Sequence, residues 1–525
     1  MMTTSAFEIL GPIMVGPSSS HTAGALRIAL VARSLGPAPL ARVRFTLYNS
    51  FARTYHGHGT DRALVAGVIG LAPDDVRVRD SFEMAREQGL DFSFETSDEG
   101  TGLHPNTVTI AMEGVDGTAM SVTGESLGGG RIRISSVDGI PVELTGDYPT
   151  LLVAHRDRPG VLAALTSGLS AAGVNIATMR TFRESRGGRA YTVFELDEGV
   201  GDELLGYLRL APGIALANLV DIPGSATVAP DGTICDGFDT GAQLLALCEA
   251  SGLTIGQTMR RREQELSPEA DVDAAMARVL EAMREETAAA IRDPKPSLGG
   301  LIGGQARAVA EGAPRLAGAL MGETLTRAVA AAMAVIERSA TMGVIVAAPT
   351  AGSAGVVPGS VLAVADAVGA DDERIALALW NACAVGAIVA RCASVSGAEG
   401  GCQAEVGTAA AMAASAVAEL MGADPATCLS AASTAISNLL GLVCDPVRGL
   451  VEHPCQDRNA IGVADAVSAA QLALSGVLDP LPFDEVVGAM RSVGLSIPAT
   501  LRETALGGLA AAPSACGACN RCEGR

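Results

Sequence analysis

From about residue 235 to its end the chain is Ala-rich and helical in its periodicity, broken only by short Gly- and Pro-bearing loops. A helix that is apolar on every side must be enclosed by other helices, and small side chains let their backbones approach closely. An all-α domain over residues 235–525 is therefore expected. Composition agrees. Hydrophobic residues make up 48% of the chain and aromatics 3%, so the cores are built from Ala, Val, Leu, Ile and Met. With 525 residues the chain exceeds a single core, and two to four domains are expected.

The texture changes upstream. Residues 1–146 mix short alternating runs, such as Val43–Tyr48 and Thr107–Ile110, with helix-like stretches, which predicts an α/β domain. Residues 148–222 form a second unit. Strand-like Thr150–Ala154 leads through Asp157-Arg158-Pro159-Gly160 into a helix over Val161–Ala172. Strands around Val174–Arg183 and Arg189–Leu196, a helix over Asp202–Leu210 and a strand near Ala215–Ile222 follow. The order βαββαβ is ferredoxin-like. Pro223-Gly224-Ser225 and Pro230-Asp231-Gly232 read as a linker.

Several classes are disfavoured. The longest uncharged stretch, Ser339–Ala365, contains Pro349, Pro358 and four glycines, so a buried core helix explains it better than a membrane span. Glu8 precedes any apolar run and no basic region stands before it, which argues against a secretory signal. A cytoplasmic protein is expected. A net charge of −21 without a long basic run argues against nucleic acid. Eleven cysteines, an odd number, do not read as a disulfide framework. Cys235, Cys248, Cys383, Cys392 and Cys428 sit in helix-like apolar sequence and read as small core residues. The chain has a single lysine, Lys295, between Pro294 and Pro296. A pyridoxal-phosphate enzyme needs a Schiff-base lysine, and this surface-turn context suits one poorly.

Short polar motifs interrupt the greasy chain. In Gly16-Pro17-Ser18-Ser19-Ser20-His21-Thr22 the hydroxyls stand before a helix expected from about Ala25. One serine would cap it. Three, with His21, offer donors for a carboxylate. His56-Gly57-His58-Gly59-Thr60-Asp61 sets two of the six histidines in a Gly-rich turn. A structural histidine, a catalytic one, or a metal site with Asp61 are the readings, although helical metal-ligand spacing is absent. Pro349-Thr350-Ala351-Gly352-Ser353-Ala354-Gly355 lacks the lysine of a phosphate loop. An anion nest and a tight turn between buried helices both fit it, as they fit Ser126-Leu127-Gly128-Gly129-Gly130.

Three further cysteines stand at expected element ends beside polar residues: Gly400-Gly401-Cys402-Gln403-Ala404-Glu405, Cys444-Asp445-Pro446, and Glu452-His453-Pro454-Cys455-Gln456-Asp457-Arg458-Asn459. No paired C-x-x-C knuckle exists among them, which disfavours a zinc ribbon. Three thiolates fit an iron–sulfur cluster with one iron left open.

Residues 148–222 resemble an ACT domain, a small amino-acid-binding module, through His155-Arg156-Asp157-Arg158-Pro159-Gly160 and Gly173-Val174-Asn175-Ile176. Amino-acid binding at Asp157, Pro159, Gly160, Asn175 and Ile176 is implied. The alternative is that Asp157 only caps the helix and the domain only dimerises. Over nearly its whole length the chain resembles the iron–sulfur L-serine dehydratases, through PSSSHT, HGHGTD, SLGGG, PTAGSAG, EGGCQAE and CDPV…EHPCQDRNA in that order. The resemblance implies an N-terminal β domain, an ACT domain and an all-α domain whose 4Fe–4S cluster is held by Cys402, Cys444 and Cys455, with no pyridoxal phosphate. It implies L-serine as substrate, with pyruvate and ammonia as products. His58, or else His56, would be the base, and Ser18, Ser19, Ser20, His21, Thr350 and Asn459 would orient the substrate. It further implies an amino-acid effector at the ACT domain, a homodimer or higher homo-oligomer, and a C-terminal cysteine that caps the open iron. Cys516, Cys519 and Cys522 compete for that role. L-Threonine or L-cysteine as substrate, and a non-catalytic amino-acid sensor, are the competing readings.

Overall fold

The computed structural model describes residues 4–97, 102–128, 130–145, 148–220, 237–268, 270–316 and 320–516. Two compact units emerge, one of residues 20–231 and one of residues 1–19 with 232–525.

The second of these is helical, as the Ala-rich sequence predicts. Its central helix, Thr408–Leu420, buries every residue except Glu419. Helices Val356–Val368, Asp372–Cys392, Pro425–Leu439 and Cys455–Leu474 pack round it. Only small side chains let four helices close on one, which is why alanine dominates there. The ends are capped locally. Thr254 with Gln257 forms a reciprocal capping box, and Asp371 and Asp424 accept from the third residue of their helices. Two helices are long and apolar enough to cross a membrane by length and composition, but 72% of each window is buried inside this unit. They are core helices.

Residues 4–19 belong to this helical unit, so the compact unit does not follow the expected boundary of 1–146. Ser5 Oγ and Ala6 N donate to the buried Glu263 carboxylate at 2.5 and 2.8 Å. Ile13–Val15 pairs antiparallel with Val344–Val346. Both links are made with residues hundreds of positions away, which local patterning cannot reveal.

The other unit holds two sheets. The first has six strands in the order Asp91–Ser97, Leu40–Tyr48, Thr107–Gly114, Ala119–Gly128, Arg131–Val137 and Ile140–Leu144. Its one parallel pair, Leu40–Tyr48 with Asp91–Ser97, requires a crossover, and helices Thr60–Ile69 and Ser81–Glu87 lie in that connection. Val43, Phe45 and Leu47 alternate inward and are fully buried. The second sheet has four antiparallel strands in the order Ile214–Val220, Thr150–Arg156, Arg189–Leu196 and Ile176–Arg183. With helices Val161–Ala171 and Asp202–Arg209 the chain order is βαββαβ, and Leu151, Val153, Leu165, Leu169, Phe194 and Leu196 form its core. The two sheets are tied within the unit. Asn218 donates to the carbonyls of Ser34 and Leu35, both at 3.1 Å, and Tyr191 Oη to Asp138 at 2.9 Å. The expected linker at 223–232 lies outside the described residues.

Candidate active site

In the α/β unit, strand Leu40–Tyr48 runs into the short helix Asn49–Thr54, and the His56–Asp61 turn then opens helix Thr60–Ile69. Gly59 makes this possible, since its φ of 62° is left-handed and disfavours a side chain. The turn sends its two imidazoles to opposite environments. His58 is fully buried, and neither ring nitrogen has a hydrogen-bond partner among the described residues. Burial lowers its pKa to about 4, so it is neutral at pH 7. His56 is 75% exposed at the side chain, with Nδ1 2.8 Å from the buried carboxylate of Asp61. Burial raises the pKa of Asp61, and the bond from His56 opposes it. Among the described residues these three side chains form no group placed to hold a metal ion. One imidazole is held by Asp61, while the other faces into the unit.

Ser19–Gly24 winds as a π-helical turn that continues into helix Ala25–Leu35. Such widened turns recur at functional sites. This turn buries His21 and brings its ring to 4.4 Å from that of His58, centroid to centroid. His21 Nδ1 meets Ser20 Oγ and Nε2 meets Ser50 Oγ, both at 2.9 Å. Burial, and then His58, hold His21 well below the usual imidazole pKa. Thr22 Oγ1 donates to the His58 carbonyl at 2.7 Å and fixes that backbone. The hydroxyls of Thr60 and Ser126 and the amide oxygen of Asn106 are also buried without a partner among the described residues. Ser50 and Asn106 carried no signal beyond their residue type.

In the helical unit, Ser18 and Ser19 are buried. The ribbon of Ile13–Val15 and Val344–Val346 is antiparallel, with Val15 opposite Val344. The serine segment and the Thr350 loop therefore leave it at opposite ends. Thr350 is buried and donates to Glu405 at 2.8 Å. Asn459, fully buried, donates to the carbonyls of Gly352 at 2.8 Å and Cys455 at 2.9 Å, and accepts from Gly355 N at 3.1 Å. Its amide thus fastens the Thr350 loop to the helix that Cys455 begins.

Cys402 precedes a second π-helical turn, Gln403–Gly407, Cys444 makes a bridge to Arg502, and Cys455 opens helix Cys455–Leu474. All three are free thiols at element ends, as the sequence predicts, but all three are buried. Burial alone therefore does not separate them from Cys248, Cys383 and Cys428, which are buried too; Cys392 is half-buried, and Cys235 lies outside the described residues. Beyond burial, carboxylates raise Cys383 and Cys428 too, through Glu263 and Glu419, so what Cys402, Cys444 and Cys455 share is a single carboxylate, Glu405. Burial, then the Glu405 charge, raise Cys402 to about 12, opposed by Arg458. Cys444 and Cys455 are held well above the usual thiol value by burial, by Glu405 and by the neighbouring cysteines. Glu405 Oε2 lies 3.9 Å from Cys444 Sγ. Burial also raises Glu405, and raises Glu503 with help from the Glu405 charge. Among the described residues no group of three or more His, Cys, Asp or Glu side chains is placed to hold a metal ion.

In the four-stranded domain, Asp157 does not cap the following helix. Its carboxylate accepts from Gly187 N at 3.1 Å and Arg183 at 3.2 Å, and the helix N-cap is Gly160, with φ of 90°. Pro159 and Gly160 are exposed. Asn175 donates to Asp197 at 2.6 Å, and half-buried Ile176 packs against the domain core. Lys295 is 60% exposed at its side chain and pairs with Asp293 at 3.2 Å, the expected surface turn. The thiols of Cys516, Cys519 and Cys522 lie outside the described residues.

Family models match in three stretches. Residues 250–510 match the serine dehydratase alpha chain, residues 5–90 the serine dehydratase beta chain, and residues 150–206 the ACT domain. An L-serine dehydratase of Streptomyces coelicolor is 31% identical over 528 residues, covering 97% of this chain and 99% of that one. L-serine dehydratase 2 of Escherichia coli is 31% identical, covering 98% and 99%. The L-serine dehydratase beta chain of Peptoniphilus asaccharolyticus is 42% identical over 204 residues, 39% of this chain and 92% of that one. With relatives aligned from end to end and an ACT domain between the two serine dehydratase regions, the chain belongs to the L-serine dehydratase family, in its single-chain, ACT-containing form.

Proposed function

We propose that the chain is an L-serine ammonia-lyase, converting L-serine to pyruvate and ammonia with a 4Fe–4S cluster at Cys402, Cys444 and Cys455. The observation that carries this reading is the end-to-end similarity to proteins named L-serine dehydratase. The donor set supports the cofactor. Three buried free thiols stand near one another: on top of burial, Cys402 raises the pKa of both Cys444 and Cys455, Cys455 raises that of Cys444, and an arginine opposes the shift on Cys402. A cluster of several irons sets its ligands farther apart than one ion does, which suits thiols that form no single-ion site. When bound, such a cluster with one iron free of protein ligands supplies a Lewis acid for the hydroxyl and carboxylate oxygens of serine.

The chain's own residues supply the rest. His58, neutral and with both ring nitrogens free of partners among the described residues, accepts the Cα proton as general base. His56 serves this role less well, being exposed and tied to Asp61. The Cα–H electron pair forms the new double bond, the Cβ–O bond breaks, and the departing hydroxide takes the proton held on His58 and leaves as water, which restores the neutral imidazole. The resulting aminoacrylate hydrolyses to pyruvate and ammonia. His21 and Ser20 orient His58 within their unit. Ser18, Ser19 and Thr350 offer hydroxyls to the substrate, and Asn459 positions the Thr350 loop.

The functional division follows the reading of residues 1–146 as the β domain, 148–222 as a ferredoxin-like ACT domain and 235–525 as the catalytic helical domain. The ACT domain takes an amino-acid effector at the turn bearing Asp157, Pro159 and Gly160, with Asn175 and Ile176 alongside. The enzyme works in the cytoplasm as a homodimer or larger homo-oligomer. One preparation tests the core of this. Protein purified without air is assayed for iron, acid-labile sulfide and pyruvate release from L-serine. Iron, sulfide and pyruvate together are expected. A colourless, iron-free protein that binds amino acids without turnover would replace the enzyme with a sensor.

A further inference from the structure

Arg458 is where several segments of the cysteine site meet. Its side chain is 14% exposed and that of Asp445 5%, and the two pair at 2.7 Å. Another arm of the guanidinium donates to the Val443 carbonyl at 2.8 Å, and the Arg458 charge opposes the rise of the Cys402 thiol. One residue thus joins the backbone before Cys444, the carboxylate after it and the helix begun by Cys455, with its charge felt at Cys402. A planar fork serves several acceptors at fixed angles, which a lysine cannot do.

The network reaches further through Asp445. Its other oxygen accepts from Leu509 N at 2.7 Å. Gly508 has a φ of 60°, and a Cβ there would stand 2.2 Å from the same carboxylate oxygen. Cys444 N donates to Leu501 O at 2.9 Å, and Glu503 N to Cys444 O at 2.8 Å. Residues 501–509 are therefore docked on the Cys444 loop. A buried ion pair returns little net stability for its desolvation, so a positional role is the better reason for this one.

From this geometry we propose that Arg458 is a positioning residue of the cysteine site. It locks the Cys444 segment against the Cys455 helix, places a positive charge beside the sulfur of Cys402, and couples residues 501–509 to the site through Asp445. The proposal rests on the cluster assigned above. Positive charge beside a ligand sulfur favours the reduced cluster, so Arg458 raises its midpoint potential.

Wild type, Arg458→Met, Arg458→Lys, Asp445→Asn and Cys444→Ala, all prepared without air, test it. The readouts are iron and sulfide per chain, the midpoint by redox titration, iron loss in air and circular dichroism. Arg458→Met should shift the midpoint negative and lose iron several-fold faster than wild type. Arg458→Lys, which keeps the charge without the fork, should hold a midpoint near wild type and lose iron at an intermediate rate. Asp445→Asn, nearly isosteric, should also lose iron faster. An Arg458→Met protein that keeps wild-type midpoint and iron retention overturns the proposal, as does wild-type retention in Asp445→Asn. If Arg458→Met folds but holds no iron, the Lys variant decides: a loaded Lys protein supports the assigned charge, and an empty one overturns it. Wild type without iron, or a fully loaded Cys444→Ala, defeats the cluster assignment itself, a separate failure.

Discussion

His58 joins full burial to an imidazole with no partner among the described residues, and both properties bear on pH. With its pKa lowered to about 4, it stays neutral well below the usual imidazole range. The acid limb of kcat/KM assigned to this base should therefore lie nearer pH 4 than 6.5, provided the cluster survives, and a steady-state pH profile reads it. His58→Ala should lower kcat by about 10²–10⁴ and leave the cluster spectrum intact. An active His58→Ala with an inactive His56→Ala would exchange the two roles. Stability carries the same sign. The unfolded chain takes up the proton near pH 6.5 and the folded chain only near 4, so the stabilisation is present above 6.5 and lost as pH falls toward 4. It amounts to about 3 kcal/mol at most. Urea unfolding of wild type and His58→Gln at pH 7 and 5 should show the smaller pH dependence in the variant. Among the cysteines, Cys444→Ala should remove iron and activity, whereas buried Cys248→Ala should keep both.

At the scale of elements, the enclosed helix Thr408–Leu420 leaves no room for growth. Ala413 is fully buried, and Ala413→Leu should cost about 1–3 kcal/mol by overpacking, read from the urea midpoint at unchanged m-value. The two π-helical turns, Ser19–Gly24 and Gln403–Gly407, each follow or contain a polar motif and feed a buried helix. Their motifs were legible as sequence; the extra residue in the turn was not, because both α and π winding accept the same residues and packing selects between them. The ACT domain shows the same division. Its strands and helices fall within two residues of their expected ends, but Asp157 holds Gly187 and Arg183 instead of capping. Asn175→Ala or Asp157→Ala should alter the cooperativity of serine saturation while leaving the iron content unchanged. Curves that match wild type would make the domain a spacer.

At the scale of the molecule, the family resemblance implies that a cysteine of the C-terminal tail caps the open iron. Deleting residues 516–525 should leave serine turnover possible and make the resting cluster decay faster in air, followed by its absorbance. Unchanged decay would remove the tail from that role. The sequence by itself determined a good deal: the helical nature of residues 235–525, the βαββαβ order, and three cysteines set apart at element ends. Periodicity, turn residues and small side chains are local properties, and they survive in a one-dimensional reading. Tertiary structure alone decided the rest. It assigned residues 4–19 to the helical unit through Glu263 and the Val344–Val346 ribbon, parted His56 from His58, and gathered Arg458, Asp445 and Glu405 about the thiols. Those facts depend on burial and on partners from distant segments, because the field and solvent at a side chain are set by what folds against it.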